Sequence, residues 1–310
     1  MTIKIASRSS KLALAQVEEF VSMCEISDYE IVKVKTEGDI KSARGETLFD
    51  KAHFVTDIQE CLNSCQADIA IHSAKDTPAR TPVGISRYYL SSKTSKDVMI
   101  FRGENKFDSK MRLGTSSLRR KLQALHFLKS SNVSALSGNI DTRLEKLHRG
   151  DYDCIILAKA GLERLGLLEG LNYQEMDWIT ASGQGTLAAE FDENRTYFGI
   201  AQRELSDIKV KCNEHEHDNG TNIRIREERG LLDAVGAGCN SAIAIESSVS
   251  YGDDFKLSIN GEIYGKSEYI SFSGKYNHDT KTNSLPKSAF YEAWEDIKSQ
   301  DGLRLLDEHN

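Results

Sequence analysis

Ala67-Asp-Ile-Ala-Ile-His-Ser-Ala-Lys-Asp-Thr-Pro78 runs from a short apolar segment into a charged turn. Ile69, Ala70 and Ile71 form an unbroken apolar run bounded by polar turn residues, the pattern of a strand buried on both faces of a parallel sheet. His72 through Asp76 then falls beyond the strand's carboxyl end, the edge at which open α/β sheets place ligands. Pro78 and Pro82 are two of only three prolines in the chain, and each disfavours helix at the residue before it. A Lys75-Asp76 pair closing an ordinary surface turn also explains the stretch, so its neighbours must separate the two readings.

On the N-terminal side, residues 3–6 are expected as a strand and residues 11–21 as a helix with Leu12, Ala15, Val17 and Phe20 on its apolar side. Between them stands Ser7-Arg-Ser-Ser10. Ser9 or Ser10 suffices to cap the helix, while Arg8 beside the hydroxyls and backbone N–H groups suits an anion. Residues 29–34 form a second strand. The polar segment after it, with Lys41, Arg44, Gly45 and Lys51, has a loop composition and is a candidate lid. Residues 54–62 are expected as helix. Strand and helix alternating through the first 80 residues predict an α/β domain with a mainly parallel sheet.

Residues 88–101 pass through a polar, hinge-like segment into a strand that opens a second α/β unit. Leu113-Gly-Thr-Ser-Ser-Leu-Arg-Arg-Lys-Leu-Gln-Ala-Leu125 combines a glycine turn, three hydroxyls and a helix whose first turns carry Arg119, Arg120 and Lys121. Cations there oppose the helix macrodipole, which favours an anion at the same place. Strand 133–136 ends in Ser137-Gly-Asn-Ile-Asp-Thr-Arg143, which opens helix 144–148, and strand 153–157 ends in Ala158-Lys-Ala-Gly-Leu-Glu-Arg164. Ala181-Ser-Gly-Gln-Gly-Thr186 is glycine-rich but has neither Walker spacing nor a following Lys-Ser/Thr. With no Gly-x-Gly-x-x-Gly after a strand either, nucleotide cofactors lack support.

Cys212-Asn-Glu-His-Glu-His-Asp-Asn-Gly220 is polar and turn-rich, which puts His215 and His217 on a solvated loop. A helix over 224–235 is stopped by Gly236, and Gly236-Ala-Gly-Cys239 sets a thiol among small residues, either accessible or a buried structural cysteine. Strands 256–259 and 262–264 around Asn260-Gly261 read as a hairpin with a primed turn, and residues 268–273 as a further strand. Ala289, Ala293 and Ile297, with Phe290 and Trp294, give the last helix an apolar side. Residues 207–310 therefore read as a small α+β domain.

The chain of 310 residues, 39% hydrophobic and 28% charged, has the length of two or three domains and an ordinary globular composition. Its net charge of −7 is spread along the sequence and argues against nucleic acid as a partner. The first residues lack a secretory layout and no apolar run approaches the ~20 residues of a membrane helix, so a cytoplasmic location without membrane contact is expected. The six cysteines, at 24, 61, 65, 154, 212 and 239, show no paired metal spacing, and neither a metal site nor a disulfide framework is expected.

Arg8, Arg119, Arg120, Arg143 and Arg164 each follow an expected strand end, with Lys75-Asp76 among them. Such convergence suits a small molecule bearing several carboxylates, which arginine grips bidentately. Asp76 is the odd member of an anion site, as if it met positive charge formed during a reaction. His72-Ser-Ala-Lys-Asp76, Gly114-Thr-Ser-Ser-Leu-Arg-Arg120, Gly138-Asn through Arg143, Ala160-Gly-Leu-Glu-Arg164, Gly183-Gln-Gly185 and Gly238-Cys239 together resemble the porphobilinogen deaminase (hydroxymethylbilane synthase) family, in order from Ile5 to about Ala244.

The resemblance implies two periplasmic-binding-protein-like α/β domains, residues 1–91 with 185–206 and residues 92–184, and a small α+β domain over 207–310. It implies a transferase that joins four porphobilinogen molecules head to tail, each losing ammonia, and releases hydroxymethylbilane. Asp76 is then the catalytic acid, stabilising a cationic azafulvene. Cys239 carries a covalent dipyrromethane primer by thioether, held by Lys75, Ser117, Arg119, Arg120, Ser137 and Arg143. Arg8, Ser10, Lys51, Phe54, Arg164 and Gln184 meet the substrate, and the chain is expected to be a monomer. Two places depart from the family pattern. Ser137 stands where the family usually has Arg, and losing such a charge-assisted contact of ~1.5–3 kcal/mol weakens binding by about ten- to a hundredfold or more. The 41–53 loop also lacks the family's Gly-Gly-Lys-Gly pattern. The alternative is therefore a homologue that binds porphobilinogen, a linear tetrapyrrole or another polycarboxylate without polymerising it.

Overall fold

The computed structural model describes residues 2–36, 38, 55–91, 93–103, 106–218, 220–238, 240–251, 255–278 and 288–309. Three sheets organise them. The first holds β1 (Ile3–Arg8), β2 (Tyr29–Val34), β3 (Ile69–Ser73), β4 (Ile85–Ser91) and β10 (Thr186–Asp192) in the order β2-β1-β3-β10-β4. Ile69, Ala70, Ile71 and His72 are all buried, as an unbroken apolar strand requires, and each isoleucine contributes roughly 1.5–3 kcal/mol through that burial. Helix α1 (Lys11–Met23) starts at Ser10, whose hydroxyl accepts from the Ala13 N–H at 3.2 Å. It lays Val17, Phe20 and Val21 against Ile3, Ile5 and Ile71, while α2 (Thr56–Asn63) packs Ile58 and Leu62 against Ala6 and Ala70. Neighbouring strand residues thus feed two helical layers, because successive side chains point to opposite faces.

The second sheet repeats the plan. Its strands are β5 (Asp97–Phe101), β6 (Leu113–Gly114), β7 (Val133–Ser134), β8 (Cys154–Ala158) and β9 (Tyr173–Glu175), in the order β7-β6-β8-β5-β9. Helices α3 (Leu118–Phe127), α4 (Ile140–Arg149) and α5 (Lys159–Arg164) accompany it. Val98 and Ile100 face Leu144 and Leu147, and Met99 and Phe101 face Ala124. In each sheet one strand, β10 or β5, runs antiparallel to both of its neighbours. The chain crosses between the sheets twice, through segments that include 93–96 and 176–185, and the crossings touch. Gly185 has φ +88°, and a Cβ there would stand 2.6 Å from the Thr94 carbonyl oxygen and 2.7 Å from that of Lys93, so only glycine fits.

The third sheet is antiparallel, β11 (Ile243–Ser250), β12 (Phe255–Tyr264) and β13 (Tyr269–His278) in sequence order. Before and after it come α6 (Ile200–Asp218), α7 (Thr221–Ala234), α8 (Ala289–Ser299) and α9 (Gly302–Asp307). Leu231, Ala293 and Ile297 pack on Ile259 and Ile263. The two α/β units and the small α+β unit are those the sequence pattern predicts.

Two stretches differ from the sequence expectation. Residues 212–218 are helical, not a solvated loop: Cys212 is buried among the first sheet's core residues, His215 Nε2 lies 2.9 Å from the Met23 carbonyl oxygen, and buried Glu216 accepts from the Tyr89 N–H at 2.5 Å. The expected boundary at 206/207 consequently falls inside α6, whose Leu205, Ile208 and Cys212 all belong to that core. Asn260-Gly261 is no hairpin turn either. Both residues lie within β12, paired to Glu246 and Ser273 and to Ile245 and Phe272. Glycine is needed there for close packing, since a Cβ would lie 2.1 Å from the Phe272 ring and 2.5 Å from the Ala244 carbonyl oxygen.

Candidate active site

A cleft of about 210 Å³ opens where parallel strands of both α/β sheets end. β1 delivers Arg8 to it, and the cap of α1 adds Ser10. β3 runs into a single 3₁₀ turn, Ala74–Asp76, that presents half-buried Lys75 and Asp76. Across the cleft stand Ser117 and Arg120 at the start of α3, Arg143 on α4 and Arg164 at the end of α5. A smaller hollow of about 70 Å³ adjoins it and is lined by Lys75, Ser117, Arg119, Arg120 and Gln184. Gly238 and Asn240, the neighbours of Cys239, also line this hollow. Cys239 itself, Lys51, Phe54 and the 41–53 loop lie outside the described residues. Ser137 lines neither space; its hydroxyl and its carbonyl oxygen each accept from Lys146 Nζ at 3.1 Å.

The cations are held in different ways. Arg143 donates from Nε to the Gly138 carbonyl oxygen at 2.6 Å. Burial lowers its pKa to about 10, Arg120 and Arg8 push the same way, and Asp76 opposes them, so Arg143 feels all three of these charges and stays protonated at neutral pH. Arg164 donates to Glu19 at 2.6 Å and to the Gly185 carbonyl oxygen at 2.8 Å. Its position in the cleft wall ties α1 to the crossing segment.

Arg119 and Arg120 meet an anion supplied by the protein itself. Asp97 is fully buried and receives Arg119 Nη2 at 3.0 Å, Arg120 Nη2 at 2.7 Å, Gln184 Nε2 at 2.8 Å and Trp178 Nε1 at 3.1 Å. Burial alone raises the Asp97 pKa, but the two guanidinium groups and their hydrogen bonds hold the carboxyl well below the usual range. Arg120 still reaches both spaces. Arg119 and Gln184 face only the smaller one.

Asp97 and Arg229 are absent from the sequence-derived set of site residues. Arg229 lines the smaller hollow, 5% exposed, and sits in the charged run Arg224-Ile-Arg-Glu-Glu-Arg229, which reads in sequence as a solvated helix face. A second buried network lies beneath β3. Glu190 accepts from Arg87 Nε at 2.6 Å and Gln59 Nε2 at 2.9 Å, and His72 Nε2 lies 3.1 Å away. Among the described residues no group of three or more His, Cys, Asp or Glu could hold a metal ion, and no helix is long and apolar enough to cross a membrane. Chemically, the cleft offers cations for several carboxylates and two carboxylates among them, Asp76 and Asp141, the second of which lies 3.1 Å from Lys11 Nζ.

Residues 3–198 match the family model described as "Porphobilinogen deaminase, dipyromethane cofactor binding domain", a span that ends before Cys239. A porphobilinogen deaminase of Nitratidesulfovibrio vulgaris is 34% identical over 267 residues, 82% of this chain and 81% of the relative. One from Bacillus velezensis is 35% identical over 268 residues, 83% and 82% of the two chains. A probable porphobilinogen deaminase of Methanopyrus kandleri is 30% identical over 83% of this chain and 86% of its own. Among solved structures, an ancestral cationic amino acid solute binding protein covers 72% of this chain, and 93% of its own, at 9% identity with a TM-score of 0.42, a score too low to bear on the fold.

Proposed function

Because the chain belongs to the porphobilinogen deaminase family, we propose that it deaminates four porphobilinogen molecules and joins them head to tail on a dipyrromethane primer bound by thioether at Cys239, releasing hydroxymethylbilane. The family is one of transferases of porphyrin and haem biosynthesis, with a dipyrromethane cofactor. The observation that carries the finer reading is the meeting of Asp76 with Lys75, Arg8, Arg120 and Arg143 in one cleft. In this reading the two lobes are residues 1–91 with 185–218, extended from 206 so that α6 is counted whole, and residues 92–184, and the remainder forms the third domain.

The smaller hollow suits a group bearing carboxylates. Among the described residues, Arg119 Nε and Arg229 Nε are buried there without a hydrogen-bond partner, and a buried donor left unpaired costs about 1–3 kcal/mol until an acceptor arrives. Lys75, Ser117, Arg119 and Arg120 would hold the primer's acetate and propionate groups from this hollow, with Arg143 reaching them from the larger cleft. When bound, the primer supplies the pyrrole carbon at which the chain grows. Arg8, Ser10, Arg164 and Gln184, with Lys51 and Phe54, would orient the incoming porphobilinogen. The Asp76 carboxylate faces the positive charge that forms on the substrate as ammonia leaves, accepts hydrogen bonds from pyrrole N–H groups and assists proton transfer.

A second reading, a homologue that binds such polycarboxylates without polymerising them, is favoured by Ser137, whose hydroxyl is engaged by Lys146 and lies outside the cleft lining. Denatured intact mass with peptide mapping, followed by porphobilinogen consumption, separates the two. A dipyrromethane adduct on the peptide containing Cys239, together with turnover, is the expected result. A chain still unmodified after incubation with porphobilinogen or hydroxymethylbilane overturns the first reading in favour of the second.

A further inference from the structure

We propose that Arg229 is a positioning residue for Asp76, gripping the turn that presents the acid from a helix of the third unit; the proposal rests on the catalytic reading of Asp76 given above. Arg229 lies on α7, 5% exposed. Its Nη1 donates to the Thr77 carbonyl oxygen at 2.8 Å and its Nη2 to that of Ala74. Ala74 and Thr77 bracket Lys75 and Asp76, so one planar guanidinium spans both ends of the two-residue segment that enters the cleft.

Other contacts also hold the turn, and Ala74 at its start is fully buried in a cluster with Tyr89, Ala188 and Ile225. Thr77 closes it locally, its N–H and hydroxyl reaching the Ala74 carbonyl oxygen at 3.1 and 2.7 Å. Those bonds set the turn's shape but not its direction relative to the opposite lobe. Arg229 adds a constraint on that direction, since a fork with five fixed N–H donors constrains an angle as well as a distance. The preceding residue extends the same contact surface. Glu228, 3% exposed, accepts from the Gly183 N–H at 3.3 Å and from the Ser247 hydroxyl at 2.6 Å. Successive residues of α7 therefore hold the acid's turn and the segment crossing between the lobes. α7 then leads through Gly236-Ala-Gly238 to Cys239, so the element that orients the acid also leads to the expected attachment point.

The test compares Arg229→Ala and Arg229→Lys with the wild-type chain by amide hydrogen exchange and by kcat and KM for porphobilinogen. Exchange should rise in the peptide covering residues 72–80 and not elsewhere. A misplacement of about 1 Å at a reacting group costs on the order of a hundredfold in rate, so kcat should fall about ten- to a hundredfold with KM changed less than about threefold. Lysine keeps the charge but not the fork and should restore kcat only in part. Ethylguanidinium added to Arg229→Ala should recover part of the loss. Unchanged exchange at 72–80 in a folded variant, or a rise spread evenly over the chain in Arg229→Lys, would overturn the proposal. A wild-type chain without turnover refutes the porphobilinogen reading instead, while the exchange comparison still decides whether Arg229 holds the turn.

Discussion

Asp76 differs from Arg8, Arg120 and Arg143 in the cleft by the sign of its charge. In the proposed reaction Arg8, Arg120 and Arg143 match carboxylates that the ligand carries permanently, whereas Asp76 meets a cation that exists only while ammonia departs. Asp76→Ala should therefore leave thermal unfolding unchanged within a few degrees and lower the porphobilinogen turnover rate by at least about a hundredfold. Full activity in that variant would remove Asp76 from the mechanism. At this scale the sequence was readable where a residue's neighbours are its neighbours in the chain, as for Ser10 at its helix start and for Lys75-Asp76. Arg119 and Arg120 show the limit. Two cations at a helix start called for an anion, and the anion is Asp97, 22 residues earlier than Arg119 and brought near only by the second sheet. Periodicity carries no record of such a pairing, nor of the buried turn contact made by Arg229.

Single elements show the same division between local and distant causes. The apolar run of β3 sufficed to place it because burial on both faces is written in consecutive residues. Asn260-Gly261 misled because glycine serves two purposes, permitting a turn and permitting close approach, and only the distant Phe272 ring selects between them. Gly261→Ala should accordingly destabilise the chain by about 1–3 kcal/mol through overpacking, read as a lower urea midpoint with an unchanged slope. A variant as stable as the parent would mean that the β12–β13 pair adjusts without cost. In α6 the polar composition of 212–218 concealed a helix, since its buried positions include Cys212 and Glu216 and one of them carries a charge.

For the whole molecule, the buried Glu190 network links stability to pH. Burial raises the Glu190 pKa, but His72 and Arg87 outweigh it and bring the folded value to about 2 from the ordinary 4.5. The contribution, at most roughly 3 kcal/mol, is complete above the unfolded pKa and fades as pH falls through the folded one. Glu190→Gln should be less stable than wild type at pH 6, and the gap should narrow at pH 3. Denaturant unfolding at the two pH values measures it, and an equal gap at both would mean that the carboxylate is not the stabilising form.

The placement of β10 also governs the order in which the molecule is made. β10 fills the gap between β3 and β4, yet it follows the entire second sheet in the chain. During synthesis the strands of that second sheet, which all lie between Asp97 and Glu175, are already made while the earlier-made β3 and β4 still lack the strand that joins them. The lobe whose strands come earlier in the sequence is thus the later of the two to close, and until residue 192 leaves the ribosome β3, which leads into Asp76, is exposed to pairing with another nascent chain.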